Sequence, residues 1–174
     1  EPTLLAPSSK AYILEGFSRP GHFDGVLRVV LKLFHLTKPT RAYFGKKDAQ
    51  QLYLIQNMVK TLFLALEIIP CEIVREDDGL ALSSRNVYLN HEQRKEALLL
   101  SKSLKIATRC VMAGGREVAP IKAEMLSTMS ALHVEYVEIL NRDFDTISSI
   151  EIGNSIILVC AKVGTTRLID NLWI

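Results

Sequence analysis

The sequence predicts an α/β protein, a parallel-sheet region followed by a smaller α+β domain. Three observations predict it. Residues 26–74 alternate helical and strand-like spacing of apolar side chains, the rhythm of a parallel sheet with covering helices. Residues 91–132 then carry two amphipathic helical patterns in succession, and strand-like runs follow at 134–140, 155–161 and 166–170. The change of architecture puts a boundary near Glu76, with domains at 1–76 and 77–174.

Residues 1–18 read as a connector, broken by Pro2, Pro7, Ser8 and Ser9, with one apolar piece at Tyr12-Ile13-Leu14. Glu1-Pro2-Thr3 is neither a signal peptide nor an initiator methionine, so the chain reads as cut from something longer. Pro20-Gly21 makes a turn, and Asp24 is expected to cap a helix from Val26 to Leu36. In that helix only Arg28, Lys32 and His35 are polar, which predicts burial over most of its surface. Arg19 and His22, on the turn before it, are either solvated loop residues or the lining of a pocket.

Pro39-Thr40 ends the helix and Arg41 to Phe44 read as a strand. From Asp48 to about Leu62 a helix buries Leu52, Ile55 and Val59. The next strand spans 67–74, with Pro70 marking a sheet edge or bulge. Ligands of such sheets bind beyond the carboxyl ends of the strands, where Gly45 and Val74 lie. In the second region Asn90 caps a helix reaching Met112, Gly114-Gly115 ends it, and another helix covers 118–132. The run 134–140 alternates and should have one wet face, whereas 155–161 is apolar enough to be a central strand.

Composition narrows the function classes. The net charge is +2, from 21 Lys and Arg against 19 Asp and Glu, with no basic block that would imply nucleic acid. No apolar run is long enough to span a membrane. Cys71, Cys110 and Cys160 are odd in number and set among apolar residues, which reads as buried free thiols in a reducing, cytoplasmic setting. The four histidines form no HxxxH or HxH pair, so no metal site is expected in this chain.

Two stretches carry chemistry. Gly45-Lys46-Lys47-Asp48 joins a strand to a helix N-terminus, where unpaired N–H groups, the helix dipole and a lysine suit a phosphate. It lacks the GxxxxGK[ST] of a P-loop, and a plain connector would look the same. Residues 75–86 end in two hydroxyls and an arginine, Ser83-Ser84-Arg85, able to donate to phosphate oxygens. A capping linker between domains is the other reading of that segment.

Together, Ser18-Arg19-Pro20-Gly21-His22-Phe23, Phe44-Gly45-Lys46-Lys47-Asp48 with Gln50-Gln51, Asp78 to Asn86, and Thr166 to Asn171 resemble the pantothenate synthetase family. The resemblance runs from Leu14-Glu15-Gly16 to the end of the chain. It implies part of a Rossmann-like nucleotidyltransferase domain of the HxGH superfamily, followed by an α+β lid domain. It implies an ATP-dependent ligase in which pantoate attacks the α-phosphorus of ATP, giving pantoyl adenylate and pyrophosphate. β-Alanine then displaces AMP. By the same resemblance Gly45, Lys46, Lys47, Asp48 and Val74 bind ATP, as do Leu82, Ser83, Ser84 and Arg85. Lys47, Ser83, Ser84 and Arg85 are expected to be catalytic through the phosphates. Gln51, Val26 and Val29 are expected to bind pantoate, and Arg19 and His22 to border the pocket.

The family usually has an acidic residue where Lys46 stands, so the turn is expected to be more basic, and Leu82 stands where Met is common. No stretch matches the family's PTMGxLHxGH segment. The resemblance puts the phosphate-stabilising histidines and the Mg²⁺ ligands in that segment. It therefore implies a C-terminal portion that is inactive alone, from an enzyme that is a homodimer when complete. A ligase for another acid, or a non-catalytic module that keeps the motifs by descent, are the competing readings.

Overall fold

A computed structural model describes residues 3–174, which divide into two compact units, Glu1–Glu72 and Ile73–Ile174. The division falls just before the expected Glu76 because Arg75 is already bridged to Ala81, within the second unit.

In the first unit two short helices, α1 (Ser8–Ala11) and α2 (Glu15–Ser18), precede α3 (His22–Thr37). Gly16 lets α2 close against α1, because a Cβ there would lie 1.6 Å from the Ala11 carbonyl oxygen. Strand β1 (Arg41–Gly45) leads through a 3-10 turn to α4 (Ala49–Thr61) and then β2 (Glu67–Cys71). β1 and β2 pair in parallel, Arg41 opposite Glu67 and Gly45 opposite Cys71. Phe23, Leu27 and Phe34 of α3 meet Leu54, Ile55, Met58 and Val59 of α4 in one apolar cluster.

Three expectations for this unit are corrected. α3 begins at His22 with Gly21 as its cap, so Asp24 does not cap it. The Asp24 carboxylate instead accepts the Ala6 N–H at 2.7 Å and the Tyr12 hydroxyl at 3.1 Å, tying down the connector. α3 is also not buried all round. Val29, Leu33 and Leu36 are exposed, because the unit's core covers one side of the helix only. Finally, β2 stops at Cys71 and leaves Val74 outside the strand. Its partner β1 ends opposite, at Gly45, so the residues beyond have no parallel ladder to join.

The second unit packs α5 (His91–Met112) and α6 (Val118–Thr128) on an antiparallel sheet ordered β3-β4-β5. The strands are β3 (His133–Asn141), β4 (Ser155–Val163) and β5 (Thr166–Trp173), with β4 central as its apolar run predicts. The helix expected over 118–132 ends at Thr128, where Met129 closes it by donating to Met125 and Leu126. Cys160 is buried, whereas Cys71 and Cys110 are only half-buried.

Asn90 caps α5 in a full capping box: its Oδ1 accepts the Gln93 N–H at 2.9 Å, and Gln93 Oε1 accepts the Asn90 N–H at 3.0 Å. Asn90→Ala is expected to cost about 1 kcal/mol in urea denaturation, since the Gln93 N–H at the helix end loses its partner.

A register shift in β3 between Val134 and Tyr136 sets Glu135 among cations. Its carboxylate accepts from Arg167 Nε at 2.8 Å and lies 3.5 Å from Lys162 Nζ. Burial pushes this carboxyl up, but Arg167, Cys160 and Lys162 outweigh it and hold it below its ordinary 4.5. A carboxyl depressed in the fold adds stability that is present above its unfolded value and lost as pH falls through the folded one. Glu135→Gln should therefore flatten the loss of stability on acidification below about pH 4.5, read from denaturation midpoints across that range.

Candidate functional site

In the first unit the end of β1 presents Gly45, Lys46, Lys47 and Asp48 in one turn, with Gln51 on the opening turn of α4. Gly45 is extended (φ −69°, ψ 135°), and a Cβ there would meet nothing within 4 Å. Neither the backbone conformation nor internal packing demands a glycine, so the turn leaves open space at that point. The α4 N-terminus has no side-chain cap; the Asp48 carboxylate lies 3.8 Å from Lys47 Nζ instead. The Lys47 side chain is 22% exposed, which restrains where its ammonium can go.

Lys46 ion-pairs with Glu72 just past β2, so the extra positive charge expected of the turn is offset.

Gln51 is half-buried. Its neighbour Gln50, for which sequence reasoning proposed no role, is 3% exposed and fully engaged. The Gln50 amide donates to the Lys10 and Ile13 carbonyls at 2.8 and 2.9 Å, and its oxygen accepts the Glu15 N–H at 3.1 Å. The last two bonds flank Leu14, whose φ of 50° is rare for a residue with a Cβ. Gln50 thus seats the connector against the helix that carries Gln51.

The turn before α3 brings Arg19 and His22 together, Nη1 and Nε2 being 3.0 Å apart, with the His22 ring tilted against Phe23. On α3, Val26 packs half-buried on the unit's core while Val29 lies exposed.

In the second unit the 75–86 segment folds back on itself. Arg75 bridges Ala81, the Leu82 N–H donates to the Val74 carbonyl at 2.9 Å, and the Leu80 N–H donates to Asp78 at 3.1 Å. Buried Ala81 and Asn86 bracket a tip in which Leu82, Ser84 and Arg85 are exposed. Ser83 Oγ accepts the Arg85 N–H at 3.3 Å, which uses a lone pair and leaves its O–H to donate elsewhere. Arg85 Nη1 donates to the Arg167 carbonyl at 3.2 Å.

The base of the tip is a polar network that the sequence did not announce. Asn86 donates to Glu76 at 2.5 Å and to the Ala81 carbonyl at 3.1 Å, closing the loop. Arg94 of α5 reaches Glu76 at 2.6 Å and Asp78 at 2.7 Å. The hydrogen bond from Asn86, and then that from Arg94, hold the Glu76 carboxyl below its usual range, and the Leu80 N–H and Arg94 do the same for Asp78. Both acids stay ionised at neutral pH and keep their grip on Arg94.

Comparison with known proteins identifies the family of the chain. A family model described as Pantoate-beta-alanine ligase matches residues 2–173. The chain belongs to the pantoate–β-alanine ligase family. The pantothenate synthetase of Aliarcobacter butzleri is 60% identical over 174 residues, and that of Campylobacter curvus 59%. Each alignment covers 100% of this chain and 64% of the relative, so the chain spans less than two thirds of their length. The crystal structure of pantothenate synthetase from Thermus thermophilus matches with a TM-score of 0.93 at 38% identity, covering 99% of this chain and 63% of that one. The pantoate–β-alanine ligase of Francisella tularensis, solved with "Beta-gamma ATP and Beta-alanine", matches at 0.72 and 33%, covering 99% and 58%. The α/β architecture is therefore that of this ligase family.

Among the described residues no cluster of three or more His, Cys, Asp or Glu could hold a metal ion. No described helix is long and apolar enough to cross a membrane.

Proposed function

We propose that the whole protein condenses pantoate with β-alanine at the expense of ATP, through pantoyl adenylate, releasing AMP and pyrophosphate. The observation that carries this reading is family membership over residues 2–173, with relatives named pantothenate synthetase at 60% identity. The Francisella ligase solved with "Beta-gamma ATP and Beta-alanine" supports the choice of substrates.

A carboxylate is a poor acyl donor to an amine until one of its oxygens joins a good leaving group. Adenylation supplies that group, and its transition state gathers negative charge on phosphate oxygens. In this reading Lys47 balances that charge, Asp48 holds the ribose side, and Gly45 and Lys46 complete the turn at the phosphates. Ser83 and Ser84 donate hydroxyl hydrogens to phosphate oxygens, and Arg85 grips them through its guanidinium. Leu82 and the Val74 backbone lie against the nucleotide. Gln51 orients pantoate by hydrogen bonding, Val26 and Val29 meet its methyls, and Arg19 and His22 border its pocket. Catalysis here is positioning and electrostatics more than proton transfer. No step is assigned to Mg²⁺.

We infer further that the protein works in the cytoplasm as a homodimer; the exposed Leu33 and Leu36 on α3 are apolar side chains of the kind that self-association covers.

Pantoate-dependent exchange of labelled pyrophosphate into ATP tests the reading, using the longest product of the gene with the 174-residue chain assayed alongside. Exchange that requires pantoate is expected from the longer protein. Exchange that answers to another acid, or none while ATP still binds, would overturn it.

A further inference from the structure

Asp170 is a carboxylate on the wrong face of a sheet. Along β5, Leu168, Asp170 and Leu172 alternate onto one side, and Leu168 and Leu172 pack in the core that α5 and α6 cover. Across the ladder Asp170 pairs with Val159, another member of that core, and it is 4% exposed. Its charge is matched from the 75–86 segment: Arg75 Nη1 donates to Oδ2 at 2.7 Å and Nη2 to Oδ1 at 3.0 Å. Oδ1 also accepts the N–H of Asn171 at 2.8 Å. Arg75 Nη1 reaches back to the Gly79 carbonyl at 3.1 Å, so one guanidinium holds both the sheet and the far side of its own loop.

Stability alone does not account for this arrangement. Replacing a buried ion pair by apolar residues of similar volume is often neutral or stabilising, so the pair is weak evidence of a role in stability. A two-point Arg–carboxylate contact fixes direction as well as distance. The same strand also takes Arg85, through the Arg167 carbonyl. Strand β5 therefore holds the loop at its first residue and at its tip.

We propose that Arg75 and Asp170 are a positioning pair for the adenylation step. They set the orientation of residues 75–86 so that Ser83, Ser84 and Arg85 meet the phosphates of ATP, and neither touches the nucleotide. The proposal rests on the ligase reading given above. It assigns the pair to ATP and leaves pantoate, held from the first unit, unaffected.

Asp170→Asn and Arg75→Lys in the longest gene product test it. The first keeps the shape of the side chain and removes its charge; the second keeps the charge and removes the two-point contact. Each should lower kcat/KM for ATP in pantoate-dependent exchange by about 10- to 100-fold, with KM for pantoate held within about twofold. Hydrogen exchange supplies a readout independent of activity. The Glu76, Gly79 and Leu82 amides should exchange faster in both variants while those of Val159 and Leu168 stay protected. Unchanged kcat/KM for ATP, or a parallel loss for both substrates with loss of sheet protection, would overturn the proposal. If the unaltered protein shows no pantoate-dependent exchange, the ligase reading fails by itself. Hydrogen exchange then decides the pinning: a loop loosened alone upholds it, and an unchanged loop refutes it.

Discussion

Replacing Lys47 with alanine is expected to slow pantoate-dependent ATP–pyrophosphate exchange by about 100- to 1,000-fold, the usual consequence of deleting one preorganised donor aimed at developing charge. The expectation is specific to Lys47 and not to positive charge in the turn at large. Lys46 is paired with Glu72, so much of its charge is already answered within the unit. Lys47 Nζ lies 3.8 Å from the Asp48 carboxylate. Lys46→Ala should therefore cost less than about tenfold in the same assay. Because Lys47 is assigned to charge that grows during attack, its loss should appear in kcat more than in KM for ATP. Equal effects of the two substitutions would remove the case for Lys47 as the transition-state lysine.

Gln50→Leu is expected to destabilise the first unit by about 1.5–4.5 kcal/mol, because three hydrogen bonds vanish together and each is worth about 0.5–1.5 kcal/mol. The side chain is nearly isosteric and the site is buried, so overpacking is not the cause. The Gln50 bonds to the Ile13 carbonyl and the Glu15 N–H flank Leu14 and hold it at its positive φ. Without them the connector should relax, which partial proteolysis between residues 8 and 18 would show. A loss of less than about 0.5 kcal/mol by urea denaturation would mean that the connector is seated by its apolar contacts instead.

Much of the fold was legible because its signals are local. Asn90 announces the start of α5, and the structure caps the helix there. The apolar run at 155–161 announces a central strand, and β4 is central. Legibility failed where a side chain answers something distant in sequence. Asp24 looks like a helix cap by position, yet its partners are Ala6 and Tyr12. Asp170 and Arg75 lie 95 residues apart, and nothing near either one signals the other. α3 misled for a different reason. Its composition is that of a buried helix, but composition does not say how many sides the rest of the unit covers. The candidate site was readable as motifs, from Gly45 to Gln51 and from Leu82 to Arg85. The supports beneath it, Gln50, Asn86 and Arg94, were not, because polar residues that bond backbone or distant charges leave no periodic trace.

The central claim is that pantoate is activated by forming a bond from its own carboxylate oxygen to the α-phosphorus of ATP. The most direct test supplies pantoate labelled with ¹⁸O in its carboxylate, together with ATP and β-alanine, to the longest product of the gene. If the account is right, one labelled oxygen passes to AMP, because β-alanine attacks the acyl carbon and the bridging oxygen leaves with the phosphate. Label appearing in inorganic phosphate with ADP as co-product, or pantothenate formed with unlabelled AMP, would contradict it.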